Sequence, residues 1–310
     1  MLFRSAGDEA DVVVGDYADV VLFGPGVGAG YVDATALYTV EFALRIASVT
    51  TAFDTAGGAD VLWGGNGDDV VVGGMSTDTL RGQLGDDVLA GDYADLVFAL
   101  AVDRTRSFLV SLTSVSPTQG GVDSVIGADG GDLLVGGAGA DTLDASGGVS
   151  DQADVVVGDY ADVELFGPGE VDPDVLDGLE FSERLHLVTT VFDTAGGADT
   201  ITGDLGDDVV VGGLAGDSIT GDDGDDVLVG DYADLVFALA VAADRSFLVS
   251  LTSVSEGQGG DDSITGGNGG DLLVGGAGAD SLFGADAAGA VGAGDEADVV
   301  VGDYADIVLF

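Results

Sequence analysis

The 310-residue chain has no cysteine, no lysine, a single histidine, one tryptophan and only four prolines. Without cysteine there is no disulfide framework, no zinc–thiolate site and no thiol nucleophile, although this alone fixes no compartment. The only bases are seven arginines, at 4, 45, 81, 104, 106, 184 and 245, against 57 acidic residues, so the formal net charge is −50. Phosphate binding needs clustered cations, so a nucleic acid or an anionic membrane surface is excluded as a partner. No apolar run reaches the ~20 residues of a membrane-spanning helix, and the first residues, MLFRSAGDEAD, lack the apolar core of an ordinary secretory signal. With one histidine, His186, the two-histidine zinc motif of metalloproteases is impossible, and no G-x-S-x-G elbow is present. His186 lies in the strand-like run ERLHLVTT, and the first copy of this run has no histidine. It reads as an ordinary strand residue, and catalysis within this chain is not expected.

The acidity does not describe a disordered tail. The chain is 46% hydrophobic, with a mean hydropathy of +0.39, whereas disorder combines high charge with low hydrophobicity. Its 55 glycines follow no Gly-X-Y period, which excludes collagen. A bound cation is the first candidate for reconciling so many carboxylates with a compact chain.

Repeats occur at three levels. FDTAGGADVLWGGNGDDVVVGG from Phe53 returns as FDTAGGADTITGDLGDDVVVGG from Phe192, and DLVFALAVDRTRSFLVSLTSVS from Asp95 returns almost unchanged from Asp234, an offset of 139 residues in both cases. GDYAD recurs at Gly15, Gly91, Gly158, Gly230 and Gly302. Because the last copy stops at Phe310 while earlier ones continue into Gly-Pro-Gly, the chain is expected to be part of something longer. Met1–Ser5 match nothing else in the sequence and are set aside as a non-native scar. The finest level is a nonapeptide, as in GGNGDDVVV, GGMSTDTLR and GQLGDDVLA running without a gap from Gly64 to Ala90.

These nonapeptides resemble the RTX family of secreted calcium-binding proteins, whose signature is G-G-x-G-x-D-x-U-x. The resemblance implies an all-β fold, a parallel β-roll or β-helix solenoid of nonapeptide coils, here interrupted by β-hairpin extensions. It also implies that the position-6 aspartates supply side-chain ligands and the glycine-rich backbone supplies carbonyls. On this chain those aspartates are Asp60, Asp69, Asp78, Asp87, Asp123, Asp132, Asp141, Asp199, Asp208, Asp217, Asp226, Asp262, Asp271 and Asp280, with carbonyls near Gly64, Gly73, Gly82, Gly136, Gly203, Gly212, Gly221, Gly266 and Gly275.

Spacing supports the same picture. Position 8 holds Leu62, Val71, Leu80, Leu89, Val125, Leu134, Leu143, Ile201, Val210, Ile219, Leu228, Ile264, Leu273 and Leu282, an aliphatic column that must point inward. Two nonapeptides make one coil, so alternate turns stack about 4.8 Å apart. Two bare carboxylates at that distance repel by roughly 3.5 kcal/mol at an effective dielectric near 20. An oxygen-only ligand set in flexible loops suits Ca²⁺ better than octahedrally strict Mg²⁺. The expected pairs are Asp60/Asp78, Asp69/Asp87, Asp123/Asp141, Asp199/Asp217, Asp208/Asp226 and Asp262/Asp280, giving roughly six calcium ions, while Asp132 and Asp271 lack a clear partner. Ser76, Ala215, Gln83, Asp204 and Asp222 replace turn glycines and predict weaker sites. The stretches 6–14, 149–157 and 293–301 keep only the aspartate and the aliphatic column, and read as coils without a regular site. Asp68, Asp86, Asp207, Asp225 and Asp261 read as solvated surface charge. The GDYAD aspartates read either as caps of the calcium column or as turn formers.

The expected units are a scar at 1–5, a partial coil and loop at 6–54, RTX blocks at 55–90, 118–157, 194–229 and 257–301, hairpins or loops at 91–117, 158–193 and 230–256, and a truncated repeat at 302–310. The hairpins read as sheet extensions or as recognition surfaces. Loops 24–39 and 167–179 differ between copies and are the likelier places for a cell-surface or matrix ligand, with further repeats of the chain as other partners. An ice-binding surface would need a regular Thr or Asn row, but position 3 holds Asn66, Met75, Leu84, Asp129 and Ala138. The expected role is an extracellular, calcium-dependent spacer or adhesin-like segment; the alternative is a calcium-binding appendage of a secreted hydrolase or toxin.

Overall fold

A computed structural model describes residues 2–3, 10–16, 18–23, 46–51, 57–101, 106–115, 120–147, 152–176, 178–190, 196–240, 245–253, 259–285 and 297–309. Loop 24–39, the turn at Asp103-Arg104, Gln119 and Gln258 lie outside them. The architecture is all-β, in three stacked sheets, with one helical turn at Pro173–Leu176 and a 3₁₀ turn at Ser182–Arg184.

The nonapeptide coils build the two parallel sheets. Strands alternate between them, so that Val70–Val72 and Val88–Ala90 are neighbours in one sheet, and Val61–Asn66 and Thr79–Leu84 in the other. The eight-stranded sheet runs from Val61–Asn66 to Ser281–Phe283, and the ten-stranded sheet from Leu2–Phe3 to Val299–Val301. Leu2–Phe3, set aside as a scar, pairs antiparallel with Val12–Val14 at the edge of the larger sheet. Between the two sheets lies the position-8 column, whose members from Val71 to Leu273 are buried in one cluster, with Leu62 and Leu282 partly buried at its ends. Apolar side chains every nine residues therefore meet because each coil consumes two nonapeptides.

The residues flanking position 8 separate the sheets. In the ten-stranded sheet they are apolar, as in Val70 and Val72 or Val209 and Val211, and they are buried. In the eight-stranded sheet they are mostly polar, as in Ser218 and Thr220 around Ile219, and they face solvent, with Val61, Trp63, Ile126 and Phe283 as the apolar exceptions. The ten-stranded sheet is thus the middle layer, covered on both faces, which is why its strands read as continuous apolar runs.

The third layer comes from the segments between nonapeptide blocks. They neither lengthen the coil sheets nor stand alone as hairpins. They form one nine-stranded antiparallel sheet in the order Asp306–Val308, Ser246–Ser253, Ala233–Leu239, Leu185–Thr190, Ala161–Leu165, Ser107–Ser114, Ala94–Leu100, Ile46–Thr51 and Ala18–Leu22. Its inward residues, among them Val49, Leu96, Leu112, Val163, Val188, Leu235 and Leu251, pack on the flanking valines of the middle sheet. On the other face, one register row reads Asp306, Thr252, Asp234, Thr189, Asp162, Thr113, Asp95, Thr50 and Asp19 from edge to edge. The second aspartate of each GDYAD is therefore separated from the next by a threonine, which avoids the penalty of like charges directly opposite one another.

Candidate metal centre

The turn that precedes each parallel strand ends on a position-6 aspartate. Its backbone N–H donates to Oδ1 of the aspartate in the next coil, and the links are continuous rather than confined to pairs. One column runs Asp60, Asp78, Asp123, Asp141, Asp199, Asp217, Asp262 and Asp280, with donor–acceptor distances of 2.7–3.1 Å. The other runs Asp11, Asp69, Asp87, Asp132, Asp154, Asp208, Asp226, Asp271 and Asp298, at 2.5–3.2 Å. Asp132 and Asp271, which lacked evident partners in the sequence, bond to Asp154 and Asp298. Those two, with Asp11, belong to the stretches expected to lack a regular arrangement. Their turns depart from the glycine pattern, but the aspartate and the following apolar strand place the carboxylate in the same column.

The second carboxylate oxygen is the distinctive one. Oδ2 of Asp69, Asp78, Asp87, Asp123, Asp141, Asp199, Asp217, Asp226, Asp262 and Asp280 is inaccessible to solvent and has no hydrogen-bond partner. A buried, unpartnered carboxylate oxygen is costly. Burial, the largest cause in every case, pushes Asp69, Asp78, Asp123 and Asp141 up to about 7, Asp226 and Asp262 to about 8, Asp199 to about 9, and Asp87 and Asp217 to about 10. The backbone N–H donated to each carboxylate opposes the rise.

Glycine at position 1 leaves room beside that oxygen. A β-carbon on Gly15 would lie 2.7 Å from Asp60 Oδ2 and 2.5 Å from the Gly73 carbonyl oxygen; one on Gly91 would lie 2.5 Å from Asp123 Oδ2 and 2.7 Å from the Gly136 carbonyl oxygen. The same convergence joins Asp141 to the Gly158 carbonyl, Asp199 to Gly212, Asp217 to Gly230, Asp226 to Gly266, Asp262 to Gly275 and Asp271 to Gly284. Gly73, Gly136, Gly212, Gly221, Gly266 and Gly275 thus present carbonyls where expected. Gly64, Gly82 and Gly203 lie beneath Oδ2 of Asp69, Asp87 and Asp208, and the carbonyls of Gly91, Gly158, Gly230, Gly284 and Gly302, which the nonapeptide reading did not name, also face the aspartate columns. Among the described residues, no three acidic or imidazole side chains converge. Each candidate position is a buried carboxylate oxygen beside backbone carbonyls, an all-oxygen donor set that fits a hard divalent cation.

Substitutions at the turn glycines preserve the conformation. Ser76, Gln83, Asp204, Ala215 and Asp222 hold φ between 75° and 99°, in the left-handed region that costs a non-glycine residue roughly 1–2 kcal/mol. Asp68, Asp86, Asp207, Asp225 and Asp261 are more than solvated charge. Asp68 accepts from Asp86 N–H at 3.2 Å, Asp225 from Gly270 N–H at 2.8 Å and Asp261 from Ala279 N–H at 2.8 Å. The first aspartate of GDYAD is a backbone clamp. Asp92 accepts from Gly121 N–H at 3.2 Å and Ala138 N–H at 2.5 Å, and Asp231 accepts from Gly260 and Ala277. Burial pushes Asp92 up to about 9. The GDYAD tyrosines Tyr93, Tyr160 and Tyr232 are core, with Tyr160 donating to Asp92 Oδ2 at 3.3 Å, whereas Tyr304 is exposed. His186 lies exposed on its strand, with Nδ1 3.4 Å from Glu164 Oε2.

The profile of the RTX calcium-binding nonapeptide repeat matches residues 54–89, 118–149, 191–218, 207–231 and 256–288. The chain carries RTX calcium-binding nonapeptide repeats. Its RTX matches fall on the parallel coils and omit the strands of the antiparallel sheet. No curated protein matches the chain. Among the described residues, no helix is long and apolar enough to cross a membrane.

Proposed function

We propose that this RTX segment is a calcium-dependent folding unit of a secreted or cell-surface protein, acting as a spacer or adhesin-like support rather than as an enzyme. The observation that carries this reading is the series of buried Oδ2 atoms beside glycine carbonyls. Asp60, Asp78, Asp123, Asp141, Asp199, Asp217, Asp262 and Asp280 would hold calcium along one column, and Asp69, Asp87, Asp132, Asp208, Asp226 and Asp271 along the other. The ion supplies positive charge where stacked carboxylates would otherwise repel or protonate. Each site with a Kd a hundredfold below the calcium concentration stabilises the fold by about 2.7 kcal/mol. With K_d values near 10⁻⁴ M, as in extracellular modules, the columns fill outside the cell and empty in the cytosol.

A calcium titration followed by far-UV circular dichroism tests this directly. The metal-stripped chain is expected to lack most of its β signal at pH 7.5 and to gain it cooperatively with calcium. Full β structure without calcium, unchanged on addition, would overturn the reading. Trp63, 51% exposed on an edge strand, is a secondary reporter.

A further inference from the structure

The two aspartate columns are not built alike. In the column of the eight-stranded sheet, each candidate calcium position lies between a nonapeptide glycine and the glycine of a GDYAD. Asp123 Oδ2 sits between Gly91 and the Gly136 carbonyl, and Asp199 Oδ2 between Gly158 and the Gly212 carbonyl. In the other column, Asp208 and Asp226 lie between nonapeptide glycines alone, Gly203 with Gly221 and Gly221 with Gly266.

The clamp aspartate follows the GDYAD glycine, and its hydrogen bonds bracket one position in each repeat. Asp92 Oδ1 accepts from Gly121 N–H at 3.2 Å, two residues before Asp123, and its Oδ2 accepts from Ala138 N–H at 2.5 Å, two residues after Gly136. Asp159 does the same around Asp199, accepting from Gly197 at 3.2 Å and from Leu214, two residues after Gly212. Asp231 brackets Asp262 through Gly260 at 3.1 Å and Ala277. Asp16 Oδ2 accepts from Met75 at 2.7 Å, two residues after the Gly73 that faces Asp60. Asp92, Asp159 and Asp231 are only 1–3% exposed. A β-carbon on Gly120 or Gly137 would strike the Asp92 carboxylate, and one on Gly196 or Gly213 that of Asp159. Tyr160 adds a third donor to Asp92. With two N–H groups and a hydroxyl committed to it, this carboxylate orders the walls of the position without entering it. Among the described residues, no carboxylate brackets Asp78, Asp141 or Asp217 from both sides in this way.

We propose that the first aspartate of GDYAD is a positioning residue for calcium, which makes the positions at Asp60, Asp123, Asp199 and Asp262 the tightest in the chain and the first to fill. The proposal rests on the calcium-dependent folding proposed above. Walls already held together by the clamp need no ordering when the ion arrives, so that cost is spared. Groups that orient metal ligands without touching the metal change affinity roughly 10- to 100-fold when removed. The GDYAD carbonyls remain usable: Gly91 accepts one N–H, from Gly74 at 2.9 Å, and a carbonyl oxygen has a second lone pair. Clamped positions alternate with unclamped ones along the column, as Asp123 does with Asp141 and Asp199 with Asp217. Each filled position therefore hands an ordered edge to its unclamped neighbour, and coils grow outward from the GDYAD turns.

Amide hydrogen exchange of the full chain across a calcium titration is the test. Segments around Asp123, Asp199 and Asp262 are expected to gain protection at about tenfold lower calcium than those around Asp141 and Asp217. Asp92→Asn should raise the calcium needed at Asp123 at least about tenfold and leave Asp262 within about twofold. Tyr160→Phe, which changes no charge, should shift Asp123 in the same direction by less, and it carries the test if Asp92→Asn does not fold. Asp162→Asn removes an equal charge from the outer face of the antiparallel sheet and should shift none of these segments. Clamped and unclamped segments gaining protection together, or an Asp92→Asn effect matched by Asp162→Asn, overturns the proposal. Calorimetric stoichiometry on the same samples separates the two readings. A chain that binds no calcium refutes calcium-dependent folding and the clamp's role with it, whereas calcium bound with one midpoint for all segments refutes the clamp's role alone.

Discussion

The two parallel sheets are made from the same nonapeptide, yet they live in different surroundings. The eight-stranded sheet has one dry face and fills most of its flanking positions with Ser and Thr; the ten-stranded sheet has two dry faces and fills most of them with Val and Leu. Both rest on an aspartate column held by the same backbone-to-carboxylate link. The lesson is that the turn half of the repeat sets the coil, while the strand half decides which side of it receives another layer.

Withdrawing calcium should have the largest effect and the least selective one. On the proposed reading both columns would lose their cations together, so hydrogen exchange is expected to show both sheets opening in the metal-stripped chain; a protected middle sheet would mean that its apolar faces suffice without the ion. Acidity comes next. In the metal-free coil the aspartate pKa values are raised, from about 7 for Asp69 to about 10 for Asp217. A raised folded-state pKa gives stability that is full below the ordinary carboxylate value near 3.9 and is lost as pH climbs through 7 to 10. Lowering the metal-stripped chain from pH 8 to pH 5 should therefore increase its β dichroism. With calcium present the trend reverses, because protons compete for the same oxygens, and the calcium midpoint should rise on acidification.

Single substitutions sharpen the contrast further. Asp154→Asn removes charge from the middle-sheet column at a coil lacking the glycine pattern, and should raise the calcium midpoint in circular dichroism several-fold, as should Asp132→Asn. An unchanged midpoint would leave Asp154 a purely structural link. Val211 and Thr220 occupy position 9 of consecutive nonapeptides on opposite sheets. Val211→Thr buries a hydroxyl and should cost about 1–3 kcal/mol by urea unfolding in calcium, whereas Thr220→Val should stay within about 0.5 kcal/mol. Smallest of all, Ala215→Gly relieves a left-handed backbone at φ 75°, and should gain about 0.5–1 kcal/mol in the same measurement.

Much of this was legible in the sequence because a nine-residue period converts directly into stacking. The position-8 column and the position-6 aspartates needed only the count of two nonapeptides per coil. The valine-versus-serine alternation that distinguishes the sheets is also written there, in VVV at 209–211 against SIT at 218–220. The third sheet was harder: each hairpin looks self-sufficient, and its lateral pairing with the next is fixed by the coils beneath it. Asp154 and Asp298 were missed for a related reason. Position in a stack, rather than the local glycine pattern, puts them in line. Nor does sequence distinguish the Asp92 clamp from a metal ligand, since both ask for a carboxylate beside a glycine turn.

The unbroken aspartate columns also describe how the segment would behave under tension. Stacked aspartates are 18 residues apart within a block, so one coil adds only about 4.8 Å along the stack. Pulled free, the same 18 residues span about 60 Å. In the proposed spacer role, such a segment would yield length in steps of more than tenfold extension, one coil at a time, and would rewind as calcium rebinds.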